Sequence, residues 1–359
     1  MTSVSSAACR LLSGRPKFSI SWLDLRGSGL SAIERLAIEE MLLRHDPLSR
    51  CWAIVGVHEP ARNKLLDVAL PPFDSNWNAT IREHDPFGHD MHEVNRSCAI
   101  ILGIGGKPEK LIDVKSAKED GVLVLKRFSG GGTVVVDHSS LWTTLIGRTE
   151  MLPDVKPFPR EIMRWSAESI FGPAFDGWDR EISSERSKAP RRGRQTLVFQ
   201  GKSCGLSGGV GDTLVLPAKK ANASAEEHQP RFQLRENDYV FDERKIGGNA
   251  QSIVKEGFLH HTSFLWDWDP LNMDYLTLPE KRPDYRGDRS HDDFLVRLRH
   301  YYGDSSNKNS LFTHMKKATA ESFDLEESSL KEVLDIARDQ FGGLQEWWDG
   351  KCRTKIIKL

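Results

Sequence analysis

The chain has 359 residues, with 50 Lys and Arg against 51 Asp and Glu, 38% hydrophobic residues and 28% charged ones. The balance of charge excludes a protein whose affinity rests on nucleic-acid phosphates, which needs a cationic excess. The composition is that of a globular chain long enough to bury a large core, and no apolar run approaches the roughly 18 residues that span a bilayer. Cys9, Cys51, Cys98, Cys204 and Cys352 are odd in number and form no C-x-x-C pair. That pattern argues against a disulfide framework or a cysteine zinc site and fits a reducing compartment.

In chain order, Met1–Leu23 comes first. It contains no acidic residue, is rich in serine and carries Arg10, Arg15 and Lys17, with Asp24 the first acid. This is the composition of a transit peptide, so a mitochondrial location is expected, with plastid or cytoplasm as alternatives. Ser31 is a plausible N-cap for an apolar-periodic helix over Ser31–Arg44, and a short strand follows at Trp52–Val55. Gly56–Asn95 has no sustained periodicity and reads as a first insertion. Branched aliphatic runs predict strands at Cys98–Leu102, Gly121–Leu125 and Thr133–Val136. A helix is predicted over Pro159–Phe171, ending near Gly172, and a second insertion over Asp179–Pro230. Beyond it lie a strand at Tyr239–Phe241, a turn at Gly247–Gly248, a strand at Phe264–Trp268 and helices over His291–Tyr302 and Ser329–Arg338. Setting aside the leader and the insertions (about 56–95 and 179–230) leaves roughly 240 residues, the size of one catalytic domain plus a tail. The division expected is 1–23 leader, 24–330 catalytic domain, 331–359 C-terminal helix and tail.

Four glycine-rich stretches could cradle an anion: Gly103–Pro108, Ser129–Gly132, Gly201–Gly209 and Lys245–Gln251. The third imitates a P-loop, but the position that needs glycine is Thr196, and no strand and helix flank it. The second lies between two strand-like runs, which excludes a dinucleotide fingerprint whose glycines open a helix. Its three glycines allow close approach and converging N–H groups, with Arg127 beside them as a five-donor cation. A hairpin turn without ligand is the plain alternative. In the fourth stretch Lys245, a mobile point charge, adjoins two glycines and Asn249. Together the second and fourth stretches suit an activated carboxylate such as an acyl-adenylate.

These residues carry a resemblance. KRFSGGGTVVVDH (126–138) resembles the signature of the lipoate–protein ligase and lipoyltransferase family. ERKIGGNAQSI (243–253), followed by LHHTSFLWD, resembles that family's lysine segment, and GIGGKPEKLIDV its early substrate-loop turn. LRENDYVF and DYRGDRSHDDFLVRL are similar to the eukaryotic, plant-like branch. The resemblance runs over about Leu25–Tyr302 outside the two insertions. It implies an α+β fold of the biotin and lipoate ligase type, a mixed, largely antiparallel sheet flanked by helices. It also implies attachment of lipoate, through lipoyl-adenylate, to a lysine of lipoyl domains of 2-oxo-acid dehydrogenases and of the glycine-cleavage H protein. ATP with Mg²⁺ is the implied co-substrate where adenylation is intrinsic, and lipoyl-AMP the donor otherwise. No tightly bound cofactor, metal-ligand set, nucleic acid or membrane partner is expected, and the chain is expected to be a monomer.

By the same resemblance Lys245 is the catalytic residue. Arg127, Ser129, Gly130, Gly131, Gly132, Asp137, Asn237, Asp238 and Asn249 are the substrate- or adenylate-binding residues. The family continues its aspartate with Gly-Asn, whereas here Asp137 is followed by His138, Ser139 and Ser140. An octanoyltransferase fed by an octanoyl-carrier protein is the alternative enzyme, and a non-catalytic binding paralogue the alternative of another class. Among smaller features, His84, His89 and His92 read as part of a solvated loop. One of His260 and His261 is a candidate to face substrate, and the basic run Arg186–Arg194 reads as a solvated loop that could meet an acidic carrier.

Overall fold

The computed structural model describes residues 18–58, 65–68, 98–188, 231–278, 282–303 and 308–359. His84, His89 and His92 of the first insertion, the P-loop imitation, Cys9 and Cys204 lie outside them. So does most of the basic run and the leader as far as residue 17.

Strand β1 (Ser19–Asp24) begins inside the segment that composition marks as a leader. It alternates across the sheet: Ile20 and Trp22 belong to one core, Leu23 to the other. The fold therefore needs residues from Ser19 onward, and any leader must end before them. Helix α1 (Ala32–His45) starts at a capping box, in which Ser31 Oγ accepts from the Glu34 N–H and the Glu34 carboxylate accepts from Ser31 N–H. Such reciprocal satisfaction fixes a helix start. Next come β2 (Cys51–Val57), which takes two residues from the predicted insertion, then β3 (Ala99–Leu102), β4 (Leu123–Lys126), β5 (Val134–Val136) and β6 (Ser140–Arg148).

Helix α2 (Pro159–Ser166) does not stop near Gly172. It passes through a π-turn at Ala167–Phe171 and continues as α3 (Gly172–Lys188). Gly172 serves close approach instead of termination, since a Cβ there would lie 2.8 Å from the Ala167 carbonyl oxygen across the widened turn. The predicted second insertion therefore gives up its first ten residues to this helix. The chain returns through β7 (Phe232–Arg235), β8 (Asp238–Phe241), β9 (Arg244–Val254) and β10 (Gly257–Leu265). The predicted Gly247–Gly248 turn is thus the interior of a strand. The predicted helix over His291–Tyr302 is two single turns, His291–Phe294 and Arg299–Tyr302. The residues between them are held extended by Val296 N–H donating to the Lys245 carbonyl at 3.0 Å. Helix α4 (Ser310–Ser322), β11 (Asp324–Ser328), α5 (Leu330–Phe341), α6 (Leu344–Gly350) and β12 (Lys355–Ile356) complete the chain.

The large sheet runs β11-β1-β2-β6-β10-β9-β8-β7 and is antiparallel except at β11-β1 and β1-β2. A small sheet runs β12-β4-β3-β5. This is the mixed, largely antiparallel α+β architecture expected. One face of the large sheet is covered by α2, α3 and α4 over Trp22, Phe171, Phe175, Trp178 and Phe264. The other buries Leu23, Trp52 and Trp142 against α1, α5, α6 and the small sheet. Among the described residues no helix is long and apolar enough to cross a membrane.

Candidate functional site

The site is built where β9 meets the small sheet, and it depends on a β-bulge. Tyr239 pairs with Gly247 but Val240 pairs with Lys245, so one step along β8 answers two along β9. The extra residue, Ile246, is fully buried in the helix-side core. Strict alternation through Ile246 would place Lys245 on the same face as Gly247 and Asn249. The bulge sets it on the opposite face, with Gly248 and Ala250. There the Lys245 ammonium pairs with Asp238 Oδ1 at 2.7 Å, while Tyr285 O–H donates to Asp238 Oδ2 at 2.9 Å.

The same stretch of β9 receives the glycine loop. β4 and β5 are not hairpin partners: both flank β3, so Ser129–Gly132 is a crossover, not a tight turn. Gly130 N–H donates to the Gln251 carbonyl at 2.8 Å. Gly131 has φ +111°, and a Cβ on it would lie 2.8 Å from the Asn249 carbonyl. A Cβ on Gly103 would lie 2.3 Å from the Gly131 carbonyl, so two of the four glycine stretches pack back to back. Arg127 is buried and directed inward. Its Nε donates to Ser129 Oγ at 3.0 Å and its Nη atoms donate to the carbonyls of Ile101, Gly130 and Gly132. Burial pushes its pKa down to about 10, still charged at neutral pH. Its donors thus shape the loop. The N–H groups of Gly131 and Gly132, on exposed residues, have no acceptor among the described residues.

Beneath the loop runs a buried polar chain. His261 Nδ1 lies 3.2 Å from Ser129 Oγ, and His261 Nε2 lies 2.8 Å from Glu39 Oε2. Glu39 Oε1 also accepts from Arg35 Nε at 3.0 Å and Thr144 Oγ1 at 2.7 Å. A carboxylate only accepts, so His261 carries its proton on Nε2 and Nδ1 accepts a hydrogen bond from the Ser129 hydroxyl. Burial lowers the His261 pKa against the pull of Glu39, which keeps the ring neutral. Burial alone would raise the Glu39 carboxyl, but His261, Arg35 and Thr144 hold it below the ordinary range. A serine, histidine and glutamate in line suggest a nucleophile. Ser129 is fully buried and already accepts from Arg127, however, so the chain instead ties α1 to the loop.

Between the sheets lies a pocket with about 350 Å³ of empty space, its open mouth included. Ile101, Val134, Val136, Trp142 and Ala250 give it apolar walls, and Arg127, Asn249, His261 and Ser263 contribute polar groups. His261 faces this pocket. Its neighbour His260 points to the helix-side core, between Gln251 and Tyr239 at 2.9 and 3.0 Å, with its pKa pushed down to about 3 by burial.

An apolar slot lined by Arg127 and the stretch of β9 on which the glycine loop packs, with a lysine on the same sheet face, fits an activated acyl group. The sequence model of the lipoyl protein ligase A/B catalytic domain matches residues 88–169 and 213–324, over half of the chain. The chain belongs to this family. It is 28% identical over 218 residues to a Plasmodium falciparum protein named inactive lipoate–protein ligase 2, covering 57% of this chain and 48% of that one. The chain thus spans about half the length of that curated relative. Its fold is similar to that of a chain from a Thermoplasma acidophilum lipoylation system described as a bipartite lipoate protein ligase and its E2 lipoyl domain (TM-score 0.53, 14% identity, 95% of this chain and 100% of that one). It is also similar to P. falciparum LipL1 in complex with lipoate (TM-score 0.50, 14% identity, 92% and 73% covered).

The residues the lipoate ligase signature singles out divide in space. Ser129–Gly132 rest on the backbone of Asn249 and Gln251 in β9, the strand that also carries Lys245 with Asp238 beside it, whereas the Asn249 side chain turns to the opposite face, where its Oδ1 accepts from Thr262 Oγ1. Asn237 is exposed, and its carbonyl accepts from Asn249 Nδ2 at 3.2 Å. Asp137 stands apart. It lies beyond the far end of β5, and its carboxylate accepts from Ser139 N–H and Oγ, Ser140 Oγ, Asp269 N–H and Asn272 Nδ2. Those bonds form the β5–β6 turn, in which Ser140 Oγ also accepts from Asp137 N–H at 3.1 Å. Glu39, Arg35, Trp142 and Tyr285 are the participants that sequence reasoning missed. For the first two a signal existed: Glu34, Arg35, Glu39 and Glu40 interrupt the apolar run of a helix whose other charged residues, Arg44 and His45, lie in its last turn, and all four are buried.

Proposed function

We propose that the protein attaches lipoate, by way of lipoyl-adenylate, to a lysine of a lipoyl carrier domain. The carriers envisaged are those of 2-oxo-acid dehydrogenase complexes and the glycine-cleavage H protein. The observation that carries the reading is the bulge at Ile246, which turns Lys245 to the same sheet face as the apolar pocket and the strand segment holding the glycine loop. The acyl chain fits the pocket walls, leaving its carboxylate at the loop. In the first step that carboxylate attacks the α-phosphorus of MgATP and pyrophosphate leaves. In the second the carrier's amine attacks the acyl carbonyl, AMP leaves, an amide forms and the amine loses its proton. The free N–H groups of Gly131 and Gly132 and the Lys245 ammonium stabilise the charge that develops on oxygen. Arg127 keeps the loop in shape, and Asn237, Asp238 and Asn249 border the nucleotide.

The test is the mass of an apo lipoyl domain or apo-H protein after incubation with lipoate and MgATP, and separately with lipoyl-AMP. A lipoyl mass gain is expected, and Lys245→Ala should reduce it at least about a hundredfold, the scale of losing one oxyanion donor. Gain with lipoyl-AMP alone would assign transfer without intrinsic adenylation, and gain only with octanoyl-carrier protein would assign octanoyl transfer. No gain with any donor would favour a non-catalytic binding paralogue, a reading supported by the name of the Plasmodium relative. Import into mitochondria is proposed on the composition of the N-terminus. A mature N-terminus at or shortly before Ser19 in the native protein would support it.

A further inference from the structure

Lysine is a flexible point charge on a four-carbon stem, and presenting its ammonium in one place costs rotamer freedom unless something holds it. Asp238 does so, using one of three N–H donors at 2.7 Å and leaving two with no partner among the described residues. Asp238 is in turn fixed by Tyr285, and Tyr285 is pinned on three sides. The Glu236 carboxylate accepts from the N–H groups of Asp284 and Tyr285, both at 3.1 Å. The Arg235 guanidinium stacks on the ring at 4.6 Å, and Phe294 packs against it at 5.3 Å. The β7–β8 turn thus clasps the short 3₁₀ helix Asp284–Arg286, and the phenol reaches back to the carboxylate. Burial and the carboxylates of Asp238 and Glu236 push the phenol far above its ordinary range, so it remains a donor.

We infer that Tyr285 is a positioning residue of the ligase site, holding the Lys245 ammonium through Asp238. The inference rests on the proposed role of Lys245, and its test has a readout independent of turnover. The ligand-free full-length chain is treated with N-hydroxysuccinimide acetate, and acetylation of Lys245 is followed by peptide mass spectrometry. Lys115, whose side chain is 83% exposed, serves as the internal standard. Lys245 should react about tenfold more slowly than Lys115, the scale of one hydrogen bond to a charged group. Tyr285→Phe should raise its rate several-fold and Asp238→Asn about tenfold. The double variant should react no faster than Asp238→Asn, because Tyr285 acts only through Asp238. In the lipoyl transfer assay Tyr285→Phe should lower kcat with little change in KM for lipoate. Unchanged Lys245 reactivity in Tyr285→Phe, multiplying effects, or faster reaction at every lysine would overturn the inference. Should the reactivity pattern hold while no acceptor gains mass, the ligase reading fails and the positioning role stands.

Discussion

At the scale of single residues, the glycine loop of the site is held in place by buried charges. Glu39 is fully buried and answers to Arg35, Thr144 and His261 at once. Removing its charge while keeping its shape takes away the buried carboxylate that Arg35, Thr144 and His261 share. Glu39→Gln should therefore destabilise the fold by about 3 kcal/mol, measured by urea unfolding. A loss below about 1 kcal/mol would mean that Arg35 finds another acceptor. Gly131 is constrained twice over, by its φ and by the Asn249 carbonyl. Gly131→Ala should cost more in acyl transfer than in stability, because the strain falls on an exposed loop. The sequence makes Arg127 and the glycines conspicuous, but not their relation. Arg127 reads as a ligand-binding cation, whereas its donors hold the loop. That distinction follows from burial, which no spacing encodes.

At the scale of elements, the small sheet and β9 form the walls of the pocket. Val134, half-buried, lines the pocket and lies against Gly248. Val134→Phe should fill the slot and raise KM for lipoate about tenfold or more, with thermal stability nearly unchanged. An unaltered KM would place the acyl chain elsewhere. Strands β2, β3, β4, β5 and β8 were legible because branched aliphatic runs mark them regardless of partner, whereas the strand expected at Phe264–Trp268 is only the end of β10, and β1, β6, β7, β9, β11 and β12 gave no such signal. Alternation along β9 misleads, however: Lys245, Gly247 and Asn249 read as one face, and a single unpaired residue, Ile246, reverses that reading for the lysine. Gly247–Gly248 likewise resembles a turn. The glycines in fact admit neighbours, with Phe264 and Val134 close to where their side chains would stand.

At the scale of the whole molecule, stability should depend on acid. His260 is held neutral down to about pH 3 in the fold, against about 6.5 in an unfolded chain. The unfolded chain therefore takes up the proton first. The stabilisation is present above pH 6.5 and is lost as pH falls from there toward 3, by about 1.4 kcal/mol per pH unit. His261, also depressed by burial, adds in the same direction. The unfolding midpoint should fall steadily from pH 6.5 to 5, and His260→Gln should flatten the slope. The C-terminus is equally part of the body. β12 pairs with β4 just before Arg127, and Glu40 accepts from the N–H groups of Arg353 and Thr354. Removing residues 351–359 should weaken acyl binding as well as stability, measurable by lipoate titration and melting. Composition read this segment as a tail because its partners lie some 230 to 310 residues away.

The pairing of β1 with β11 sets a timetable for the newborn chain. Ser19 lies opposite Asp324, so β1 can be covered on that side only after about 300 further residues have been made. At roughly 5–20 residues per second, that is an interval of about 15 to 60 seconds. Throughout it β1 offers an open edge, the kind of surface on which chains stick to one another. The protein should therefore lean on chaperones during synthesis. A circular permutant that links residue 359 to Ser19 and begins before α4 puts β11 ahead of β1 in the chain, and it should refold faster and aggregate less than the natural order.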